Sequence, residues 1–376
     1  MTSIPSSRDK LLFTPGPLTT SLSVKQAMLH DAGSWDVEFN STVANVRQKL
    51  LELGGVSRES GFEVILMQGS GTFGVESVIS SVLPPNGKLL VLANGAYGER
   101  IAQMAMQLRI KHLVLRSAED QTADLAELNR TLENDFEITN VAVVHCETTT
   151  GILNPIERIG PIIKAAGRVL IVDAMSSFGS VAIDMDAIGI DYLISSANKC
   201  VEGVPGFSFI FARRSLLLAT EGFARTLSLD LLGQWKAFEK TAQFRYTPPT
   251  HAVLAFVQAL KELDAEGGIA ARGARYKRNH QVLIEGMERI GFKRFLPDAI
   301  QSCIITCFHF PKDPKFNFAE FYRLLSAKGM IIYPGKLTQV PTFRIGNIGR
   351  LFENDIRQLL SAIELSISEM NVTLAD

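Results

Sequence analysis

Residues 168–173 read RVLIVD and residues 192–199 read YLISSANK, and these two stretches decide the fold. Each opens on a short apolar run, the pattern of a strand covered on both faces. Each also leads to a residue with chemistry, Asp173 in the first and Lys199 in the second. In a parallel sheet the functional crevice lies outside the carboxyl ends of the strands, so this carboxylate and this amine are expected to face one crevice. Runs of the same kind cover Glu63 to Met67, Lys88 to Ala93, Lys111 to Leu115, Val141 to Val144 and Ser208 to Ala212. With Arg168 to Val172 and Tyr192 to Ser195 they make seven strands, alternating with amphipathic segments. That alternation is the signature of βαβ units, so the expected class is α/β, a large domain on a mostly parallel seven-stranded sheet.

Further along, helical patterns run from His251 to Glu266, ending at Gly267-Gly268, and from about Ile269 to Arg289, ending at Gly291. Glycine just past a helix end is a stop signal, and this pair reads as a domain border. Beyond it, Cys303 to Phe310, Met330 to Tyr333 and Thr342 to Gly346 read as strands, and Ala319 to Ala327 and Glu353 to Met370 as helices. The expected division is an arm over residues 1–20, a large domain over 21–265 and a small α+β domain over 266–376.

The 376 residues carry 38 Lys+Arg against 39 Asp+Glu, a balance of −1 that gives no footprint for a nucleic-acid partner. At 46% hydrophobic and 20% charged the chain has material for a large core. Apolar stretches such as Leu89 to Ala93 fall far short of the roughly 18 residues of a membrane span, and the N-terminus MTSIPSSRDK lacks a signal's apolar region. The expectation is a cytoplasmic protein without a membrane partner. Its four cysteines form no CxxC pair and lie near no His cluster of zinc spacing, so neither a disulfide framework nor a metal site is expected. The basic run Arg272, Arg275, Lys277 and Arg278 reads as a solvated helix face, and His145 and His251 as packed or hydrogen-bonded histidines.

Gly69-Ser70-Gly71-Thr72-Phe73-Gly74 matches the dinucleotide pattern GxGxxG between a strand and the helical pattern Thr72 to Val82. A dinucleotide site needs an acid at the end of the next strand, which here ends Leu92-Ala93-Asn94. A single phosphate on the helix N-terminus, with Ser70 and Thr72 as hydroxyl donors, fits better, and an ordinary tight turn fits equally well. Phosphate cradle, carboxylate and lysine together are the set that pyridoxal phosphate requires.

FTPGPLTTS (13–21), QGSGT (68–72), NGAYGER (94–100), HCETTTGILNPI (145–156), VDAMSSFG (172–179), SSANKCVEGVPGF (195–207), YTPPTH (246–251), IYPGK (332–336) and FRIGNIG (343–349) together resemble the class V, fold-type I aminotransferases that depend on pyridoxal 5'-phosphate. The resemblance runs from Phe13 to about Met370 and is strongest to the branch that passes the amino group of 2-aminoethylphosphonate to pyruvate. It implies that Lys199 is the Schiff-base lysine and proton shuttle, that Asp173 pairs with the pyridinium nitrogen, and that Tyr97 stacks on the ring. Ser70, Gly71, Thr72 and Asn198 fall to the phosphate, Thr148 to the phenolic oxygen, and Met175 beside the cofactor. Arg344 and Gly16 fall to substrate binding. Thr247 and Thr250 match a loop that reaches the neighbouring subunit's phosphate, which implies a homodimer with shared sites. An alanine or serine:glyoxylate aminotransferase of the same class would share Lys199, Asp173 and Arg344, and a Rossmann oxidoreductase remains the reading from another class.

Overall fold

The computed structural model describes residues 9–337 and 340–374. Residues 1–8 of the expected arm and residues 338, 339, 375 and 376 of the expected small domain lie outside the described residues.

The seven strands form one sheet. They are β1 (Phe62–Gln68), β2 (Lys88–Ala93), β3 (Lys111–Arg116), β4 (Ile138–Val144), β5 (Val169–Asp173), β6 (Tyr192–Ser196) and β7 (Phe207–Arg213). Their order across the sheet is β1-β7-β6-β5-β4-β2-β3, and β7 alone runs antiparallel to its neighbours. The inner strands are buried along almost their whole length, which is why they read as continuous apolar runs rather than alternating ones. Helices α1 (Val37–Leu53), α2 (Gly71–Val82) and α3 (Ala96–Gln107) pack on this sheet. Because β4, β5 and β6 pair in parallel register, their carboxyl ends at Val144, Asp173 and Ser196 emerge side by side.

Two long helices follow, α4 (Thr250–Glu266) and α5 (Gly268–Ile290). The chain then forms β8 (Ile305–His309), α6 (Phe318–Ala327), β9 (Tyr333–Pro334), β10 (Thr342–Gly346) and α7 (Glu353–Glu369). The second sheet has the order β8-β10-β9. A separate aromatic core surrounds Phe343, whose ring lies 5.3 Å from Phe292, 5.5 Å from Phe321 and 5.7 Å from Phe308. Successive strand side chains point to opposite faces, so anchoring Phe343 and Ile345 in that core turns Arg344 the other way, towards the large sheet.

Two expectations need correction. Met330 to Tyr333 is not one strand: Met330–Ile331 pairs in parallel with Leu11–Leu12, and Tyr333–Pro334 pairs with β10. The chain changes partner at the fully buried Ile332, a change that an unbroken apolar run conceals. The basic run on α5 is also not wholly solvated, since Arg272 is fully buried and Arg275 nearly so. They share Glu266, and Arg275 also bonds Glu202 at 2.7 Å, a carboxylate that Tyr276 reaches through its hydroxyl. Positions 272, 275, 276 and 279 form one helical face turned inward, while Lys277 and Arg278 are exposed. This network ties the loop after Lys199 to α5. No described helix is long and apolar enough to cross a membrane, and the described residues hold no cluster of His, Cys, Asp and Glu suited to a metal.

Candidate active site

A cleft of about 190 Å³ opens where the carboxyl ends of β4, β5 and β6 meet the N-terminus of α2. Ser70, Gly71, Thr72, Tyr97, Thr148, Asp173, Met175, Asn198 and Lys199 all line it. The fold thus gathers nine of the expected site residues from five separate segments of chain.

Asp173 ends β5 with its side chain buried. Its Oδ1 accepts the Met175 N–H at 2.9 Å, while Oδ2 has no hydrogen-bond partner among the described residues. Burial pushes the carboxyl up to about 6, against the Met175 bond, with the nearby Glu147 charge adding to the rise and the Lys199 and Arg100 charges opposing it. A cationic ring N–H placed against Oδ2 would supply what this carboxylate lacks.

Lys199 follows β6 and is half-buried. Its Nζ donates to the Pro15 carbonyl at 2.7 Å, so the FTPGP turn lies directly against the amine. Burial lowers its pKa from the ordinary lysine range, and the charges of Tyr97, Cys200 and Asp173 only partly restore it. Gly16 belongs to the same contact, because a Cβ there would fall on the Lys199 side chain. The turn is held from behind by Gly346 at the end of β10, whose N–H bonds the Phe13 carbonyl at 3.0 Å. A Cβ on Gly346 would run into the Thr14 carbonyl and lie 3.1 Å from the Pro15 nitrogen, both backbone atoms. Gly346→Ala is therefore expected to cost about 1–3 kcal/mol of stability and to displace the turn from Lys199. Thermal denaturation with steady-state kinetics checks this, and an unchanged Tm with unchanged KM would contradict it.

At the other end of the cleft, Ser70 is the N-cap of α2 but its side chain makes no capping bond. Phe73 and Gly74 donate to the Ser70 carbonyl, leaving the Gly71 and Thr72 N–H groups without a partner among the described residues. Met175 packs across Gly71, where any side chain would collide with its sulfur. Free first-turn amides, two hydroxyls and the helix dipole are the donor set an anion needs. Asn198 accepts from the Ser196 hydroxyl at 3.0 Å beside them.

Tyr97 is carried in on α3, whose N-terminus is held by Glu147. The fully buried Glu147 carboxylate accepts from the Tyr97 and Gly98 N–H groups at 3.1 and 3.3 Å, and from the Thr149 N–H at 3.0 Å. Burial pushes the Tyr97 phenol up, but the Lys336 charge, the Thr148 bond and the Lys199 charge together bring it below its usual value. Arg344 is buried, donates to the Pro334 carbonyl at 2.9 Å and the Thr148 carbonyl at 2.7 Å, and so lies directly behind Thr148. Among the described residues it has no carboxylate partner.

Thr247 and Thr250 do not line the cleft of their own chain: Thr247 is exposed, and Thr250 opens α4. Gln68 donates to the Tyr246 and Thr247 carbonyls at 2.9 and 3.4 Å, which keeps this segment beside the QGSGT turn. Sequence reasoning missed Glu147 and Arg100. Arg100 lines the cleft, and its position three residues after Tyr97 on one helix was the available signal.

With this geometry in hand, comparison with known proteins is direct. Residues 22–358 match the family Aminotransferase class-V. The chain is 52% identical over 354 residues to a 2-aminoethylphosphonate–pyruvate transaminase of Bacillus cereus (strain G9842), covering 94% of this chain and 96% of that protein. It is 49% identical over 364 residues to the 2-aminoethylphosphonate–pyruvate transaminase of Salmonella heidelberg (strain SL476), covering 96% and 99%. Among solved structures, the alanine–glyoxylate aminotransferase of Nostoc sp. superposes with a TM-score of 0.88 at 26% identity, covering 98% of each chain. The ureidoglycine-glyoxylate aminotransferase of Bacillus subtilis shares the fold, with a TM-score of 0.89 at 21% identity over 98% of this chain and 95% of its own. On sequence and fold together, this chain belongs to the class-V aminotransferases.

Proposed function

We propose that this aminotransferase moves the amino group of 2-aminoethylphosphonate to pyruvate, giving phosphonoacetaldehyde and L-alanine, with pyridoxal 5'-phosphate as its cofactor. The names of the relatives at about half identity support the substrate pair. The observation that carries the chemistry is the convergence of the Lys199 amine, the Asp173 carboxylate and the unsatisfied α2 amides on one cleft.

When bound, the cofactor supplies an electron sink that lets the carbon bearing the amino group lose a proton. Lys199 takes that proton and returns it, and a pKa lowered by burial leaves more of the amine free near neutral pH. Asp173 would hold the ring-nitrogen proton through its free oxygen. Ser70, Gly71, Thr72 and Asn198 would hold the phosphate, Tyr97 would stack on the ring, and Thr148 would meet the phenolic oxygen. Arg344 presents a planar two-pronged donor to the acidic group of each substrate in turn, phosphonate and then carboxylate. With Gly16 and Pro15, the turn against Lys199 shields the reacting carbon from water.

A homodimer accounts for Thr247 and Thr250. Exposed apolar residues occur on the elements next to this segment: Tyr246 itself, Phe73 beside Gly69 of the adjoining QGSGT turn, and Leu29, Trp35 and Val37 in the stretch of chain that includes Asp31, which meets His251 of α4 at 3.2 Å. A surface of this kind suits a second copy of the chain, placing each Thr247–Thr250 segment beside the partner's phosphate site. The arm over 1–20, the large domain over 21–265, the small domain over 266–376 and a cytoplasmic location complete this reading.

Initial rates test the substrate assignment. L-alanine should form from 2-aminoethylphosphonate and pyruvate with a kcat/KM at least about 100-fold above that for L-alanine or L-serine with glyoxylate, a margin within reach of a site built to pair a polar group. A preference for the α-amino acids would hand the function to the glyoxylate aminotransferases.

A further inference from the structure

One charge in the cleft has no role in the reading above, on which the following inference rests. Arg100 is half-buried on α3, one turn beyond Tyr97, with its guanidinium carbon 4.8 Å from the centre of that ring. Its Nη1 donates to the Thr72 hydroxyl at 3.3 Å, a long bond to a neutral oxygen. Among the described residues no carboxylate lies within 4.0 Å of it. Several other arginines set into this fold meet a carboxylate: Arg47 meets Glu239 at 2.8 Å, and Arg272 and Arg275 each meet Glu266 at 2.7 Å, whereas Arg344, like Arg100, meets none among the described residues. A guanidinium drawn partly out of water, with five donors and one weak acceptor, has unused capacity for an anion.

The position of its one bond indicates where that anion sits. Thr72 is the second residue of α2, and its N–H and that of Gly71 are the unpartnered amides of the first turn. Arg100 on α3 and the first turn of α2 therefore aim donors at one point from two helices. A phosphate monoester brings a charge of about −1.5 to −2, whereas a helix N-terminus offers only about half a positive charge, so the α2 turn alone leaves most of it unbalanced.

We propose that Arg100 is the cationic wall of the phosphate site and binds the phosphate of the cofactor across Thr72. The same chemistry could come from the phosphonate of the substrate. The placement favours the cofactor, because Thr72 belongs to the phosphate turn, whereas Arg344, the arginine assigned to substrate, lies behind Thr148 and is bonded to its carbonyl.

The test compares full-length wild type, Arg100→Ala and Arg100→Lys after removal of cofactor, titrating each with pyridoxal 5'-phosphate and with pyridoxal by protein fluorescence. Arg100→Ala is expected to weaken pyridoxal phosphate about 30-fold, the loss of a charged hydrogen-bonding partner, and Arg100→Lys to recover part of it. Pyridoxal, which lacks the phosphate, should bind all three alike, and the KM for 2-aminoethylphosphonate of the cofactor-saturated variants should stay within about twofold of wild type. Unchanged pyridoxal phosphate affinity in Arg100→Ala overturns the proposal, as does an equal loss for both ligands, which would mark a supporting role for the fold. A raised KM for the phosphonate with intact cofactor affinity overturns it in favour of substrate recognition. Failure of the underlying reading looks different, since wild type itself would then bind neither ligand.

Discussion

Lys199→Ala is expected to lower turnover about 10,000-fold or more while leaving the fold in place. The variant loses the nucleophile and the proton shuttle together, and the shuttle alone is worth roughly 100- to 10,000-fold in comparable sites. The stability cost should be small. Lys199 is half-buried, its Nζ makes one hydrogen bond, to the Pro15 carbonyl, and water in the open cleft can replace that donor. Lys199→Arg is the informative companion: it keeps a cation against Pro15 but cannot offer a free amine, so its turnover should fall as far. A small primary amine added to Lys199→Ala should restore part of the rate. Full turnover of Lys199→Ala without added amine would remove this residue from the chemistry.

Asp173→Asn is expected to separate stability from activity. Turnover should fall about 1,000-fold, the upper range for removing one preorganised electrostatic partner of a developing charge. The cofactor-free protein should instead become more stable. Burial raises the Asp173 carboxyl from 3.8 to about 6, so its favourable protonated state holds at low pH and is lost as pH rises through about 6. At pH 7 the ligand-free chain therefore carries a buried, half-satisfied charge. A shift of this size corresponds to at most about 3 kcal/mol, so Asp173→Asn should gain about 1–3 kcal/mol at pH 7 without cofactor. Urea denaturation at pH 5 and pH 7 reads this directly: the gain should shrink at the lower pH, where wild type becomes protonated. A variant no more stable than wild type at pH 7 would show that Asp173 is not strained by its site.

How far the sequence carried differs from element to element, for physical reasons. The inner strands were legible because such a strand must be apolar on both faces, as in Leu170-Ile171-Val172, where no amphipathic alternative fits, while the half-exposed edge strand Lys111–Arg116 showed only in its short run His112 to Leu115. The meeting of Asp173 and Lys199 in one cleft was legible because such strands deliver whatever follows them to one edge. The inward face of α5 was not, because Arg272 and Arg275 look like any surface cations until Glu202 and Glu266 are brought against them by the tertiary fold. Glu147 escaped for a related reason: its role is to hold the N-terminus of a helix about 50 residues earlier in the chain, a contact with no local signature. The division at Ile332 was hidden because hydrophobicity reports burial and not which strand is the partner.

Whether this cleft takes the amino group of 2-aminoethylphosphonate and gives it to pyruvate is decided by observing the two half-reactions separately. The visible absorbance of the cofactor-loaded enzyme would be followed as 2-aminoethylphosphonate is added with no acceptor, and then as pyruvate is added after removal of excess donor. The phosphonate should bleach the visible band, and pyruvate should restore it with one L-alanine released per site. A band that ignores the phosphonate and responds only to α-amino acids, or a pyruvate step that releases no alanine, would contradict this substrate assignment.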